Sequence, residues 1–384
     1  MTATGTRTIV IAGGGTAGHV MPALAVARAL VRRGHPSEAI RFVGSRRGLE
    51  SRLAPESGFA VTLLPGRGIE RRLSWKSVTA AIGLAVATAE ATALLARDRP
   101  AVVLSVGGYA AAPCVVAALV LRIPLVVAEA NAVPGATNRV AARWATACAT
   151  AFEGTGLPRA VVTGSPVRDE VLAVSRAPEC RAAARRRLSL PDGRRVVAVT
   201  GGSLGARRVN EAVLDLATRW AGRSDVAIHH AVGRRDWPEL AGRLPANDVV
   251  DGADRLLSYR AVEYEEGVPA LLSAADVWVG RAGGTTMAEL TAVGVPSVLV
   301  PLPIAPHDHQ AVGARRLNAA GGCVVVPDAE CTGERLAAEL DRLLDDPAAL
   351  GRMGAAAAAA GHRDASDRIA ALIEDAVRGR AGRR

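Results

Sequence analysis

Short apolar runs alternate with amphipathic stretches along the first 165 residues. Runs of strand length lie at 8–12, 39–44, 59–64, 101–106 and 125–128, with shorter ones at 147–151 and 160–163. Helix-length stretches follow several of them, at 22–33, 76–97, 113–121 and 137–143. Regular alternation of this kind predicts a parallel, doubly wound α/β sheet.

The second half repeats the pattern. A run at 196–200 enters a glycine-rich turn, and a helix is predicted at 208–219. Further strands are predicted at 227–231, 249–251, 276–279, 297–300 and 322–326, and further helices at 180–188, 268–274, 333–345, 347–360 and 366–378. We therefore expect two Rossmann-like domains, 1–165 and 166–361, with residues 362–384 packing back on the first.

Composition narrows the choice of partners. The chain is 49% hydrophobic with only 3% aromatic residues, so its core must consist mostly of Ala, Val and Leu. The net charge of +10 comes from arginine, because Lys76 is the single lysine. A basic surface favours phosphates or anionic lipid. Nucleic acid is a poor candidate, since stacking aromatics and a matching motif are lacking.

Cysteine usage and hydropathy point to a reducing compartment and no membrane span. The five cysteines have neither metal-site spacing nor an even number for disulfides. The first predicted strand follows Met1 so closely that we expect no signal peptide. Two apolar stretches, 77–96 and 101–130, are interrupted by charged, glycine or proline residues and make poor spans. We expect a soluble or peripheral protein.

Polar side chains follow several strands of the first half. A glycine turn at 13–18 ends in His19, and Tyr109, Glu129 and Asn131 follow later strands. A strand, a glycine turn and a helix direct backbone N–H groups toward an anion, although such turns also need glycine for packing alone. Because parallel strands end at one edge of a sheet, these side chains predict a site there.

The second half offers two further glycine loops, at 201–207 and 281–289. Backbone amides at the start of a helix suit a diphosphate, and Glu289, one turn in, suits a ribose diol. The alternative for Glu289 is a capping-box glutamate. His307 and His309 lie on a proline-rich loop without metal-site spacing, so no metal is expected.

A basic loop at 65–76 carries interleaved apolar residues, Ile69, Leu73 and Trp75. It is either a solvated loop or a patch that meets an anionic membrane surface.

Taken together, these motifs resemble the MurG family of glycosyltransferases. The resemblance rests on Gly14–His19, Gly107–Tyr109, Glu129–Arg139, Gly164–Arg168, Gly201–Arg207, Arg281–Glu289 and His309-Gln310. It implies the GT-B fold, with two Rossmann-like domains facing across a cleft. It also implies inverting, metal-independent transfer of N-acetylglucosamine from UDP-GlcNAc to the C4 hydroxyl of undecaprenyl-pyrophosphoryl-MurNAc-pentapeptide. The enzyme would be peripheral, at the cytoplasmic face of the cell membrane, without a cofactor.

The resemblance also implies roles for individual residues. His19 is the candidate base, with Glu129 as its rival, and His19 with Thr16 could instead bind the acceptor pyrophosphate. The acceptor side would comprise Thr16, Ala17, Gly18, Tyr109, Asn131 and Arg168. The donor side would comprise Ser203, Gly205, Arg281, Gly283, Gly284, Thr285, Thr286, Glu289 and Gln310.

Five positions depart from the family pattern: Ala128, Ala130, Leu204, Glu265 and Gly313. They put donor affinity and sugar preference in question. Two alternatives therefore stay open, namely a related transferase with a different lipid or natural-product acceptor, and a catalytically impaired nucleotide-sugar binder.

Overall fold

The protein forms two compact units in this computed structural model, which describes residues 8–65, 75–202, 205–245, 256–305 and 308–381. The N-terminal unit comprises Met1–Arg168 and His362–Arg384, and the C-terminal unit comprises Asp169–Gly361. The division falls after Arg168, close to the junction expected from the sequence.

A single parallel sheet organises the described part of the N-terminal unit. Its strands are β1 (Ile9–Ala12), β2 (Ile40–Ser45), β3 (Ala60–Leu64), β4 (Val102–Ser105), β5 (Leu125–Glu129), β6 (Ala147–Thr150) and β7 (Ala160–Val162). They lie in the order β3-β2-β1-β4-β5-β6-β7, and Ile9 is paired with Ile40 on one side and Val102 on the other. The helices between them are α1 (Ala17–Arg32), α2 (Glu50–Glu56), α3 (Trp75–Asp98), α4 (Ala112–Val120) and α5 (Ala136–Ala141).

The C-terminal unit repeats the order of the first six strands of the N-terminal sheet in its described residues. Its described strands are β8 (Arg195–Thr200), β9 (Val226–Ala231), β10 (Ser258–Val262), β11 (Val277–Gly280), β12 (Ser297–Leu299) and β13 (Val324–Val325), in the parallel order β10-β9-β8-β11-β12-β13. Its helices are α6 (Asp169–Leu172), α7 (Pro178–Arg187), α8 (Arg207–Arg219), α9 (Trp237–Leu240), α10 (Val268–Ala274), α11 (Gly284–Val293), α12 (His309–Ala319), α13 (Gly333–Leu344) and α14 (Pro347–Ala359).

Both sheets are buried on their two faces, which explains the continuous apolar runs in the sequence. In the N-terminal unit Ile11 of β1 packs toward α1, whereas Val10 packs toward α3 and α4. In the C-terminal unit the amphipathic helices α8 and α13 cover the same face of the sheet. The prediction of two doubly wound Rossmann-like halves is confirmed.

The final helix, α15 (Ala365–Ala381), belongs to the N-terminal unit and packs on α1. Ile369 and Ile373 are buried in the core under α1. Glu374 accepts two hydrogen bonds from Arg33, at 3.0 and 2.7 Å, and lies 3.2 Å from the His35 ring nitrogen. This network fastens the end of the chain to the helix that follows the first strand.

Some local predictions were wrong. Strand β10 was not predicted, and the strand expected at 249–251 lies outside the described residues. Helix α1 begins at Ala17 rather than at residue 22, so Pro22 lies inside it. Helices α2 and α12 were also missed.

Within the described ranges, no helix is long and apolar enough to cross a membrane. Four of the five cysteines are buried free thiols, and Cys180 is half-buried.

Candidate functional site

Each sheet reverses its strand order at one point, and the two sets of predicted residues lie at these points. In the N-terminal unit the reversal lies between β1 and β4, and in the C-terminal unit between β8 and β11. Loops at the carboxyl ends of such neighbouring strands diverge and leave a crevice in which ligands bind. The glycine turns after β1 and β8 and the loops after β4 and β11 all lie at these ends.

The glycine turn after β1 needs glycine for its backbone shape. Gly13, Gly14 and Gly15 have φ values of 140°, 151° and 94°, which side chains rarely tolerate. A Cβ at Gly13 would lie 2.7 Å from the Gly107 carbonyl oxygen. The Gly13 N–H donates to Val43 O at 3.1 Å, and the Gly15 N–H donates to Glu50 Oε2 at 2.8 Å. These two amides therefore bond within the protein and do not point at a ligand.

His19 lies in the first turn of α1, next to the helix N-cap Thr16. Thr16 Oγ1 and His19 Nδ1 are 3.1 Å apart, and a Cβ at Gly108 would lie 3.8 Å from the His19 ring. Ala17 and Gly18 form the same turn, and their N–H groups precede the first intrahelical donors, His19 N and Val20 N, which both donate to Thr16 O at 3.1 Å. The helix dipole favours an anion at this end of the helix. The structure thus brings together Thr16, Ala17, Gly18 and His19 at the switch point.

Tyr109 lies across the turn from His19. It follows β4 and is 36% exposed, and a Cβ at Gly15 would lie 3.4 Å from its ring. A partly exposed phenol beside the His19 turn can donate a hydrogen bond to a ligand. Arg168, the last residue of this segment of the N-terminal unit, is half-buried.

Glu129 has a different environment from His19. It is buried, and its Oε1 accepts from Asn131 N at 3.0 Å and from Asn131 Nδ2 at 2.9 Å. Its Oε2 accepts from Gly135 N and from Asn138 Nδ2, both at 3.0 Å. Each carboxylate oxygen thus receives two donors, and the carboxylate ties the 130–135 loop to the end of β5. The Asn131 amide is engaged in the same network.

A small cavity lies beside these residues within the N-terminal unit. It is lined in part by His19, Glu129, Ala128 and Ala130. The two alanines border the space next to His19, so the short side chains at these positions enlarge it.

In the C-terminal unit, helix α11 begins directly at the switch point. Gly283 is its N-cap, and Gly284, Thr285 and Thr286 form its first turn. Their amides lie at the positive end of a ten-residue helix, which suits a phosphate group. Glu289 follows within the helix and is buried.

The turn after β8 approaches the loop after β9 closely. Gly205 has φ 91°, and a Cβ there would lie 2.5 Å from Val232 O and 2.8 Å from Asp236 Oδ2. Only glycine fits this position. Ser203 and Leu204, which the sequence places in the same turn, lie outside the described residues.

Arg281 and Gln310 hold neighbouring loops in place. The Arg281 guanidinium donates to the carbonyl oxygens of Val300 and Pro301 and pairs with Asp328. Gln310 Oε1 accepts from Leu302 N at 2.9 Å. In this structure both side chains organise the loops after β11 and β12 at the edge where α11 begins.

Sequence reasoning missed several buried polar groups behind these loops. Glu50 lies under the first glycine turn, and Asp236 lies behind Gly205. Asp236 Oδ2 accepts from Asn210 Nδ2 at 3.0 Å, and Asn210 Oδ1 lies 3.0 Å from His230 Nε2. Burial lowers the pKa of His230 to about 3, so this imidazole is neutral. Nearby glycines were the sequence signal that could have indicated these buried carboxylates. Gly44 and Gly48 leave room for the Glu50 side chain, and Gly205 leaves room for Asp236.

The expectation that no metal is bound rested on spacing. Among the described residues, no group of three or more His, Cys, Asp or Glu side chains is arranged to hold a metal ion. His307 lies outside them.

Comparison with known proteins identifies the family. Models of the glycosyltransferase family 28 N-terminal and C-terminal domains match residues 9–150 and 196–369. A protein of Clavibacter michiganensis subsp. michiganensis is 42% identical over 375 residues, covering 97% of this chain and 98% of the relative. It is named UDP-N-acetylglucosamine–N-acetylmuramyl-(pentapeptide) pyrophosphoryl-undecaprenol N-acetylglucosamine transferase. The crystal structure of Acinetobacter baumannii MurG matches with a TM-score of 0.73 at 27% identity, covering 96% of this chain and 99% of that one. This chain belongs to the MurG family.

The fold extends beyond the MurG family. The UDP-GlcNAc 2-epimerase of Neisseria meningitidis, solved with UDP-GlcNAc bound, matches with a TM-score of 0.67 at 15% identity, covering 96% of this chain and 100% of that one. At this identity the match concerns the fold alone.

The departures from the MurG pattern have local explanations where the structure describes them. Glu265 turns inward, where one oxygen lies 2.7 Å from His229 Nε2 and the other accepts from Gly267 N. The His229 hydrogen bond lowers the pKa of Glu265 and keeps it ionised. Gly313 is buried within α12.

Proposed function

We propose that this chain transfers N-acetylglucosamine from UDP-GlcNAc to the C4 hydroxyl of undecaprenyl-pyrophosphoryl-MurNAc-pentapeptide, the step from lipid I to lipid II in peptidoglycan synthesis. The observation that carries the proposal is the 42% identity to a transferase of this name over 97% of the chain. The two switch-point edges, each with its own polar groups, supply one place for each substrate.

In this proposal the UDP-GlcNAc donor binds to the C-terminal unit. The first-turn amides of α11, at Gly284, Thr285 and Thr286, would hold the diphosphate together with the Ser203–Gly205 turn. Glu289 would accept from the ribose hydroxyls, and Gln310 would contact the sugar. Arg281 contributes indirectly, because its guanidinium fixes the loops beside α11. The leaving diphosphate is neutralised by amides and the helix dipole, so the mechanism needs no metal.

The acceptor belongs to the N-terminal unit, and His19 is its base. The C4 hydroxyl loses its proton to the imidazole, its oxygen forms a bond to the anomeric carbon, and UDP departs with the electron pair of the broken bond. In-line attack inverts the anomeric configuration. We prefer His19 to Glu129 because each Glu129 oxygen already accepts two hydrogen bonds in a buried network, whereas the His19 side chain is only partly buried and lines the small cavity. Tyr109, Asn131 and Arg168 are assigned to acceptor binding.

An anionic membrane surface at the cytoplasmic face of the membrane is part of the proposal. Helices α3 and α4 pack together, and each exposes two aliphatic side chains one turn apart: Ile82 and Val86 on α3, Val116 and Val120 on α4. Their exposure ranges from 44% to 66%. Aliphatic side chains on a protein of net charge +10 suit the boundary of an anionic bilayer. Most of the basic loop predicted at 65–76 lies outside the described residues, namely 66–74 with Ile69 and Leu73, as does the Trp75 side chain.

The test measures transfer of radiolabelled GlcNAc from its UDP donor to a lipid-linked muramyl-pentapeptide acceptor. A parallel reaction that lacks the acceptor is the control. We expect acceptor-dependent formation of labelled disaccharide lipid. Labelled product from another lipid or natural product but not from the muramyl acceptor would favour the related transferase. Donor binding without any transfer would favour the impaired binder, and either result would overturn the proposal.

A further inference from the structure

A buried carboxylate supports the glycine turn that precedes His19. Glu50, the first residue of α2, is completely buried. Its Oε2 accepts from Gly15 N at 2.8 Å, and its Oε1 accepts from Ser45 N at 2.7 Å. One carboxylate therefore joins the turn after β1 to the end of β2, through two charge-assisted hydrogen bonds.

Three glycines leave the space that this carboxylate occupies. A Cβ at Gly14, Gly44 or Gly48 would lie 2.2, 2.3 and 2.1 Å, respectively, from an atom of the Glu50 side chain. Any side chain at these positions would displace Glu50, so the glycines and the carboxylate form one arrangement. An exposed glutamate on a helix surface would not need glycines around it. The space left for Glu50 therefore indicates that its buried carboxylate is required where it contacts the backbone.

The turn that Glu50 contacts leads directly to Thr16 and His19 at the start of α1. Gly15 is followed by Thr16, the N-cap of α1, whose hydroxyl lies 3.1 Å from His19 Nδ1. A Cβ at Gly15 would lie 3.4 Å from the Tyr109 ring, so the Tyr109 side chain is close to this turn. A shift of Gly15 would move Thr16 and, through it, the orientation of the imidazole.

We propose that Glu50 is a positioning residue for the transfer reaction, which fixes the Gly13–Gly15 turn so that Thr16 and His19 are held in their working orientation. This inference rests on the proposed function. Glu50 itself does not touch substrate, because its two oxygens face the backbone of Gly15 and Ser45. The same contact removes the Gly15 N–H from anion binding, and the His19 N–H donates to Thr16 O, so the amides of Ala17 and Gly18 are the ones we assign to the acceptor's pyrophosphate.

The test is a double-mutant cycle of Glu50→Gln with His19→Ala. The glutamine amide group presents a donor to one of the two backbone N–H groups, so the turn shifts while side-chain size is kept. We expect kcat to fall about 100-fold in the wild-type background, the scale of a misplaced catalytic group, with the KM for the donor unchanged. In the His19→Ala background the same substitution should change kcat about twofold or less.

Two control variants come from the same helix. Glu56→Gln removes an exposed carboxylate that pairs with Arg52 and should leave kcat unchanged. Leu53→Ala removes a half-buried side chain and lowers the melting temperature without touching the turn. An equal loss of kcat from Glu50→Gln in both backgrounds, or the same loss in Leu53→Ala at equal melting temperature, would overturn the positioning role.

Amide hydrogen exchange gives a readout that does not depend on transfer. In Glu50→Gln, exchange in the 13–19 segment should accelerate while the C-terminal unit is unaffected. Unchanged exchange in that segment would overturn the inference about Glu50 even if wild-type transfer is normal. If the wild-type protein shows no transfer activity but exchange is still faster in Glu50→Gln than in wild type, the result would support the contact between Glu50 and the turn. It would then count against the proposed function instead.

Discussion

Asn138 and Glu129 hold each other at the junction between β5 and α5. Asn138 Nδ2 donates to Glu129 Oε2 at 3.0 Å and to Ala128 O at 2.9 Å, and Asn138 Oδ1 accepts from Ser105 Oγ at 2.9 Å. Both side chains are buried. The pair thus links the ends of β4 and β5 to the helix that follows, and it stabilises the edge on which Tyr109 and His19 lie.

Because Glu129 accepts four hydrogen bonds, its replacement should act on stability first. We expect Glu129→Ala to lower the free energy of unfolding by about 3 kcal/mol, since it leaves several buried donors without a partner. Chemical denaturation followed by circular dichroism measures this. Glu90→Ala, an exposed carboxylate on α3, is the control and should change stability by less than about 0.5 kcal/mol. A large loss of kcat in Glu129→Ala at unchanged stability would instead identify Glu129 as the base.

His19→Ala should lower turnover by about 100-fold or more, a typical contribution of a general base. Donor affinity should stay unchanged, because the proposed donor residues belong to the C-terminal unit. Steady-state transfer and calorimetric titration with UDP-GlcNAc check the two halves of the prediction. Thr16→Val, which removes the hydroxyl beside Nδ1, should cause a smaller loss. Near-normal turnover in His19→Ala would refute both of its assigned roles, base and pyrophosphate ligand.

The strands that carry the switch points could be predicted because each is a short apolar run buried on both faces. Strand β10 was missed because half-buried Ser258 and Arg260 alternate with buried Tyr259 and Ala261, so this segment contains no continuous apolar run. The start of α1 was misplaced because Pro22 suggests a first helical turn, whereas the helix already begins at Ala17.

The site could be predicted only in part. The placement of His19, Tyr109 and Glu129 at one edge of the sheet could be predicted because they stand at or shortly after the ends of buried strands, where topology alone brings residues together; their roles stay predictions. Glu50 could not be found in this way, because its partners Gly15 and Ser45 come from different strand ends and contribute only backbone atoms. The distinction between Glu129 as a base and as a loop anchor also depends on donors that sequence spacing does not reveal.

The exposed aliphatic residues of α3 and α4 should contribute to membrane binding. We expect Ile82→Ser with Val120→Ser to weaken co-sedimentation with vesicles containing anionic lipid by about tenfold, from the loss of apolar area that the bilayer buries. Val31→Ser, an exposed valine on α1, is the matched control and should have no effect. Trp75→Ser combined with Arg71→Ser and Arg72→Ser tests the neighbouring basic loop in the same assay. Unchanged binding in both the aliphatic double variant and the basic-loop triple variant would remove the membrane surface from the proposal.

Stability of the C-terminal unit should fall as the pH falls below neutrality, because of His230. Burial, with a smaller effect of neighbouring His229, lowers the pKa of His230 to about 3, whereas an unfolded histidine has a pKa of about 6.5. Between these values the unfolded chain binds one more proton at this residue than the folded chain does. The contribution is therefore complete above pH 6.5 and is lost as the pH falls toward 3, by at most about 1.4 kcal/mol per pH unit.

His230→Gln should reduce this pH dependence. The variant keeps a polar side chain between Tyr259 and Asn210, the groups that face the imidazole, but it does not titrate. Urea unfolding of wild type and variant at pH 7.5, 6.5 and 5.5 gives the comparison. We expect the variant to be less stable at pH 7.5, because the fit of the imidazole to both partners is lost, and the difference to narrow steadily toward pH 5.5. A difference that stays constant with pH would mean that His230 binds protons equally in the folded and unfolded chain, so that burial does not lower its pKa.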